Sequence, residues 1–488
     1  GLVRTMKPLL EAGVNPNAPG STSETPLHLA ALSRNPEAIR VLLDAGAEPD
    51  ATDSYGTTPL HWAAYYAGLK CTGLLIERGA DVNAISLECE TPLHVAFARR
   101  NVAVARELLE SGADPQVLEA WNLRPVDYIE TDSIWSELKH HFMIDLARLK
   151  VDREGRTALH RGAMIGNQRF CSDLLDAGFA LDATDNEGRT ALYYAARNGY
   201  EDVVELLLAR GASVSALDST GRSPLHAALD FKGSAFTGLL LSHGCEPDLA
   251  DSHGVTPLML ASRNAGSSQL IRLITAGADV HRADADTLKP IHHACLAGNT
   301  DALQTLLGSG ADATSALGDG RTCLHLAAAE GRADMIRVLI ANGAVLEAKD
   351  ALGHTPLLAA SMGKASRDTI NALLDLGASH SARTPDGATP LHLIAARGYV
   401  PAVSLLIEHG ADPVATDNQG RTPLHYIASS SAYLDLSILS ELHKHAGDIN
   451  TRDDNGNTPL DIALLSGRSA LAEQLRKAGA LRGDQIAK

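Results

Sequence analysis

The sequence predicts an all-α fold, an α-solenoid of stacked helix–turn–helix units joined by short hairpin loops. A tetrapeptide related to Thr-Pro-Leu-His returns every 33 residues over ten consecutive steps. A Gly-Ala pair, or a near equivalent, follows 21 positions later in nearly all of the units. A fixed period of this size is typical of repeats that bury their apolar face only against a neighbour. The tetrapeptides begin at Thr25, Thr58, Thr91, Arg124, Thr157, Thr190, Ser223, Thr256, Lys289, Thr322, Thr355, Thr389, Thr422 and Thr458.

One unit, residues 185–218, shows how the pattern predicts each element. Thr190 is expected to cap a first helix. Where proline follows the threonine, as Pro59 does, it takes the first helical position, at which a missing N–H does no harm. Gly199 is expected to end this helix in the left-handed conformation. Residues 203–208 give a second helix its apolar face, and the rest of the unit predicts a hairpin-like loop.

Two short antiparallel helices followed by a projecting loop, at this period and with this tetrapeptide, resemble the ankyrin repeat. The resemblance extends from about residue 1 to residue 479. It implies that the tetrapeptide histidine bridges neighbouring repeats through both ring nitrogens, and that the loops and first helices line a concave face. These histidines are His28, His61, His94, His160, His226, His292, His325, His392 and His425.

The repeat pattern divides the chain into four parts. Residues 1–123 form an N-terminal ankyrin-like subarray that starts in a half repeat, so upstream sequence is expected. Residues 124–151 keep the repeat length but lose the Gly-Ala turn. They are either a divergent repeat that still stacks or a seam between two subarrays. Residues 152–480 form a C-terminal subarray with a polar cap, and residues 481–488 form a tail.

Composition narrows the classes of function. The 488 residues include 59 acidic and 42 basic side chains, a net charge of −17, which argues against a nucleic-acid partner. No apolar run approaches the roughly 18 residues that a membrane span needs, so no direct membrane insertion is expected. The six cysteines are widely spaced. We expect them to act as small apolar residues in a reducing, cytoplasmic compartment.

No set of catalytic residues accompanies the repeat. The sequence contains no GxSxG, GxxxxGK[ST] or HExxH motif. Histidine pairs such as His292-His293 lack a carboxylate or cysteine at metal-ligand spacing. Single aspartates such as Asp53 and Asp185 recur with the period, and we expect them to stabilise turns. The sequence therefore predicts no enzyme, no cofactor and no metal site.

The candidate binding residues are aromatic and arginine side chains on the predicted concave face. The exposed positions are expected to be the fourth, seventh and eighth after the first residue of the tetrapeptide, together with the loop tips. Exposed aromatics interleaved with arginine are typical of interaction hot spots. The alternative is that these bulky residues only pack on the neighbouring unit. The candidates are Tyr55, Trp62, Tyr65, Tyr66, Arg99, Trp121, Tyr128, Arg161, Tyr194, Arg197 and Phe231.

These features favour a non-catalytic scaffold that binds a partner protein or an extended peptide. Arg156, Arg189 and Arg222 precede three consecutive tetrapeptides, and such a row would suit acidic residues on the partner. One alternative is a regulatory or targeting module of a larger enzyme or channel. Another is a mechanical spacer. The sequence leaves the oligomeric state open.

Overall fold

The computed structural model describes residues 2–115, 117, 125, 138, 151–230, 236–264, 266–364, 366–430, 437–446 and 448–485. These residues form helices joined by loops, and their only β pairing is an isolated bridge between Ala316 and Thr322. The predicted all-α fold of helix–turn–helix units is confirmed. None of the helices in the described ranges is long and apolar enough to cross a membrane.

The helices of the described residues come in pairs, with a first helix of seven or eight residues and a second of six to ten. In chain order they are α1 Leu2–Glu11, α2 Pro26–Leu32, α3 Pro36–Asp44, α4 Pro59–Tyr65, α5 Leu69–Glu77, α6 Pro92–Ala98, α7 Val102–Glu110, α8 Ala158–Ile165, α9 Gln168–Asp176, α10 Ala191–Asn198, α11 Glu201–Ala209, α12 Pro224–Asp230, α13 Thr237–Ser242, α14 Pro257–Asn264, α15 Ser267–Thr275, α16 Pro290–Ala297, α17 Thr300–Gly308, α18 Cys323–Ala329, α19 Ala333–Ala341, α20 Pro356–Met362, α21 Arg367–Asp375, α22 Pro390–Ala396, α23 Val400–Glu408, α24 Pro423–Ser429, α25 Ser437–Ala446, α26 Pro459–Leu465 and α27 Ser469–Lys477. A short 3₁₀ helix follows at Gly483–Gln485.

The chain divides into two compact units. The first comprises Gly1–Ala228 with Ser242–Cys245, and the second comprises Leu229–Leu241 with Glu246–Lys488. Within the first unit, α2, α4 and α6 pack side by side, and α3, α5 and α7 pack in a second row. Within the second unit, the same two rows run from α14 to α26 and from α15 to α25. The predicted seam at 124–151 lies, apart from Pro125, Leu138 and Val151, outside the described residues, so that boundary stays a prediction.

The first helix of each repeat begins at the tetrapeptide because its residues cap one another. The Thr58 amide donates to Nδ1 of His61 at 3.1 Å, and Pro59 occupies the first helical turn. The same threonine–histidine capping box recurs in most repeats. As the sequence predicts, α10 ends at Gly199, whose φ of 81° places it in the left-handed region.

In the repeats that contain it, the tetrapeptide histidine joins one repeat to the next. Nε2 of His61 donates to the carbonyl of Glu90 at 3.0 Å, and Nε2 of His160 donates to the carbonyl of Arg189 at 2.9 Å. Because Nδ1 already accepts from the threonine amide, the ring proton must sit on Nε2, which fixes the neutral tautomer. The bridging role implied by the family resemblance is confirmed. The same bond reaches the next loop from His28, His325, His392 and His425.

One repeat makes this bridge differently. His292 donates to the carbonyl of Ser315 rather than to the residue before the next tetrapeptide, at a distance of 3.1 Å. Leu317 stands in this loop where most repeats have an aspartate, so the usual aspartate-centred turn cannot form. The loop keeps the backbone bond from the Leu317 amide to the Arg321 carbonyl at 2.8 Å, and an isolated bridge pairs Ala316 with Thr322.

The loop aspartates stabilise turns, as predicted. Oδ1 of Asp185 accepts from the amides of Glu187 at 2.8 Å and Arg189 at 2.9 Å. Adjacent loops are linked by single backbone bonds, such as that from the Ser219 amide to the Glu187 carbonyl at 2.7 Å. The aspartates that share this turn geometry are Asp53, Asp152, Asp218, Asp251, Asp284, Asp350, Asp417 and Asp453.

Acid is expected to lower the free energy of unfolding through the buried histidines. Burial lowers the pKa of His61 from its ordinary 6.5 to about 4, so the folded chain binds fewer protons than the unfolded chain between these values. The stability contribution is complete above about pH 6.5 and is lost as the pH falls through about 4. For His61 the loss is on the order of 3 kcal/mol.

Chemical denaturation of wild type and His61→Gln at pH 7.5, 5.5 and 4 measures this effect. The variant is expected to show a flatter dependence of unfolding free energy on pH. His281→Gln, at an exposed loop position, is the control and should keep the wild-type slope. Equal slopes for wild type and His61→Gln would contradict the assignment.

Candidate interaction surface

A cavity of about 280 Å³ opens between the repeats that contain α4 and α6. Four aromatic side chains form much of its wall: two lie in α4, one directly follows α4, and one lies in the loop before it. We call this cavity the aromatic pocket. Its lining consists of Tyr55, Trp62, Tyr65 and Tyr66, with Asp53, Thr57, His61, Glu90 and Val95.

Trp62 is held in one orientation. Its indole Nε1 donates to Oδ2 of Asp53 at 3.0 Å and to Oγ1 of Thr57 at 2.9 Å. Its ring meets the His28 ring edge-on, with centroids 5.4 Å apart. The indole is therefore only partly exposed and presents a fixed wall to the pocket.

Two tyrosines of the aromatic pocket are exposed to solvent. Tyr55 is 67% exposed and Tyr65 is 42% exposed, so both rings are available to a partner. Tyr66 lies against Tyr65, with ring centroids 4.8 Å apart. The guanidinium of Arg99 sits 3.7 Å from the Tyr65 ring centroid, which is a cation–π contact.

A buried negative charge lies beside these rings. Asp53 is a buried residue, and burial alone would raise the pKa of its carboxyl. Hydrogen bonds from three neighbouring residues outweigh burial and hold this pKa below its ordinary value. The carboxylate therefore stays ionised at neutral pH and places a negative charge in the wall of the aromatic pocket.

Two exposed apolar residues extend the surface beyond the aromatic pocket, and the sequence analysis missed both. Ile85 is 58% exposed and Leu87 is 76% exposed. The Leu87 amide donates to the Tyr55 carbonyl at 3.0 Å, so Leu87 lies in the loop next to Tyr55. A signal was present, because Ser86 replaces the aspartate of the loop pattern and is flanked by apolar side chains.

The expectation that the fourth position after the start of the tetrapeptide is free for binding is wrong in several repeats. This side chain lies over its own loop, and its polar tip bonds the loop aspartate nine residues earlier. The hydroxyl of Tyr194 donates to Oδ2 of Asp185 at 2.6 Å, and the ring is only 6% exposed. Trp62–Asp53, His293–Asp284 and Tyr426–Asp417 repeat this arrangement.

The remaining predicted residues differ in their exposure and in whether the structure describes them. Arg161 is 6% exposed, so its predicted exposure is wrong, because it occupies the same fourth position and is enclosed there. Arg197 is exposed at the end of α10, far along the chain from the aromatic pocket. Trp121, Tyr128 and Phe231 lie outside the described residues.

The predicted basic row is largely neutralised within its own loops. Nε of Arg156 donates to Oδ2 of Asp152 at 2.8 Å, and its Nη2 donates to Glu154 at 3.0 Å. Arg189 pairs with Glu187. These arginines therefore stabilise their loops and give the expectation of an acidic partner no support.

Five of the six cysteines are buried and one is exposed. Cys71, Cys171, Cys245, Cys295 and Cys323 are buried, whereas Cys89 is exposed in its loop, contrary to a purely apolar role. Over the described part of the chain, no group of three or more His, Cys, Asp and Glu side chains is placed to hold a metal ion.

Comparison with known families agrees with this architecture. A family model described as ankyrin repeats in three copies matches residues 1–86, 137–218, 211–284, 291–384 and 357–453. A second model, described as the ankyrin repeat, matches residues 89–119. No curated protein matches the chain.

Tyr194→Phe is expected to lower the free energy of unfolding by about 1–3 kcal/mol, because it leaves a buried carboxylate oxygen of Asp185 without its donor. Urea denaturation followed by circular dichroism measures the change. Tyr200→Phe removes the same atom from a ring that is 37% exposed and should change stability little. If both variants lose the same stability, the Tyr194 hydroxyl has no special structural role.

Proposed function

This chain belongs to the ankyrin-repeat family, and from that premise we propose that it is a non-catalytic scaffold that binds a partner protein or an extended peptide through its first unit. Ankyrin repeats are in general protein–protein interaction modules. The proposed contact surface, which we call the binding surface, consists of the aromatic pocket with Ile85, Leu87 and Arg99.

The observation that carries this proposal is the clustering of exposed aromatic and apolar side chains on adjacent loops and first helices. Aromatic residues make up only 4% of the chain, yet four of them line one pocket. Tyr55, Ile85 and Leu87 are each more than half exposed and lie on adjacent loops, which is typical of an apolar patch that a partner covers. Tyrosine, tryptophan and arginine are the residues that dominate binding energy at protein interfaces.

The geometry also supports a small number of anchors rather than a broad, uniform contact. Trp62 is fixed by two hydrogen bonds, so a partner that packs against it immobilises little further side-chain freedom. Tyr65 is braced between Tyr66 and Arg99. Preorganised aromatic walls of this kind favour affinity because less conformational entropy is lost on binding.

We propose the partner's chemistry and the location of the chain on narrower grounds. A partner with acidic residues would have to be recognised by arginines other than Arg156 and Arg189. A cytoplasmic location rests on the cysteines alone. The alternative of a regulatory or targeting module of a larger enzyme or channel stays a prediction.

Replacing Tyr55 and Tyr65 together by alanine is expected to weaken partner binding by at least about 30-fold, since hot-spot truncations cost roughly 2 kcal/mol or more. Partners are first isolated by affinity capture with the wild-type chain and identified by mass spectrometry. Binding of the purified partner is then measured by isothermal titration calorimetry.

The matched control is Tyr200→Ala, which removes a partly exposed tyrosine at the start of a second helix in the same unit. It should bind as the wild type does. Undiminished binding by the Tyr55/Tyr65 double variant, with its fold intact by circular dichroism, would exclude the binding surface.

A further inference from the structure

We propose that the aromatic pocket receives a lysine ammonium group from the partner. This inference rests on the proposed function, because it names the side chain that the binding surface recognises. It goes beyond that function by assigning a charge and a shape to the occupant.

The rings of the pocket are suited to a cation. The faces of tryptophan and tyrosine are electronegative and attract an ammonium group placed within about 6 Å of the ring centroid. The pocket brings together one indole and three phenol rings from a single stretch of chain, residues 55–66. Arg99 already stacks 3.7 Å from the Tyr65 centroid, so the chain itself places a cation against one of these walls.

The carboxylates of the pocket favour the same occupant. Asp53 is ionised, and its four hydrogen bonds hold the charge in place without adding a positive group. Glu90 contributes a second carboxylate residue to the lining. A carboxylate or phosphate on a partner would be repelled here, whereas a cation gains from both residues. An uncharged aliphatic side chain would gain nothing from them.

Size and shape favour lysine over arginine and over a free small molecule. At about 280 Å³ the cavity lies slightly below the range of roughly 300–1,000 Å³ that holds whole ligands. A guanidinium is planar and stacks on one ring, as Arg99 does on Tyr65. An ammonium is compact and contacts several walls at once, while its methylene stem lies along apolar surface such as Val95.

The test uses three synthetic pentapeptides with the sequence acetyl-Gly-Gly-X-Gly-Gly-amide. X is lysine, Nε-trimethyl-lysine, or the uncharged analogue in which a tert-butyl group replaces trimethylammonium. Each is titrated into the full chain, and binding is followed by nuclear magnetic resonance of the peptide. The trimethylated peptide is expected to bind about 5- to 30-fold more tightly than its uncharged analogue, and the lysine peptide is also expected to bind.

Three variants separate charge from apolar contact. Glu90→Gln keeps the side-chain shape, and should weaken binding of both charged peptides several-fold without changing binding of the uncharged one. Arg99→Gln removes a competing cation and should strengthen binding of the charged peptides. Tyr65→Leu keeps an apolar wall without the aromatic face, and should reduce the preference for charge. Tyr200→Leu is the control and should leave all three affinities unchanged.

Equal binding of the trimethylated and uncharged peptides would overturn this inference and show a purely apolar pocket. Failure of all three peptides to bind would also overturn it. Neither result touches the proposed function, which is tested separately by partner binding to the Tyr55/Tyr65 variant. The proposed function would instead be contradicted by undiminished partner binding of the Tyr55/Tyr65 double variant.

Discussion

The hydrogen bonds of the tetrapeptide histidine constrain the rest of this protein. Nδ1 accepts from the helix-capping threonine of its own repeat, and Nε2 donates to a carbonyl in the next loop, as His61 does to Glu90. One neutral ring therefore fixes where a helix begins and how far away the next repeat lies. Where the interval is longer, between Thr422 and Thr458, the bond still forms, from His425 to the carbonyl of Asn457.

Much of the fold could be predicted from the sequence because the same capping, helix and turn pattern recurs in successive repeats. The helix pairs, the capping threonines and the turn-forming aspartates all agree with the predicted roles. The candidate site was less predictable, because it depends on how single side chains rotate. Tyr194 and Tyr65 are both tyrosines at offsets expected to be exposed. Only the structure shows that one bonds Asp185 while the other faces outward.

The periodic polar residues thus stabilise the repeats, and the proposed binding surface includes residues that depart from the pattern. Ser86 replaces a loop aspartate, and the apolar residues beside it are exposed. The loop aspartate of the preceding repeat, Asp53, has two roles. It closes its loop and orients Trp62, and its ionised carboxylate places a negative charge in the wall of the aromatic pocket. A structural element of the repeat thereby sets the chemistry of the surface.

Hydrogen–deuterium exchange of the full chain, alone and saturated with its purified partner, tests most directly whether this surface is where the protein binds. The account predicts slower exchange at residues 53–66 and 85–99, with little change in the second helices α5 and α7. Slower exchange confined to those second helices, or to the second compact unit, would contradict it.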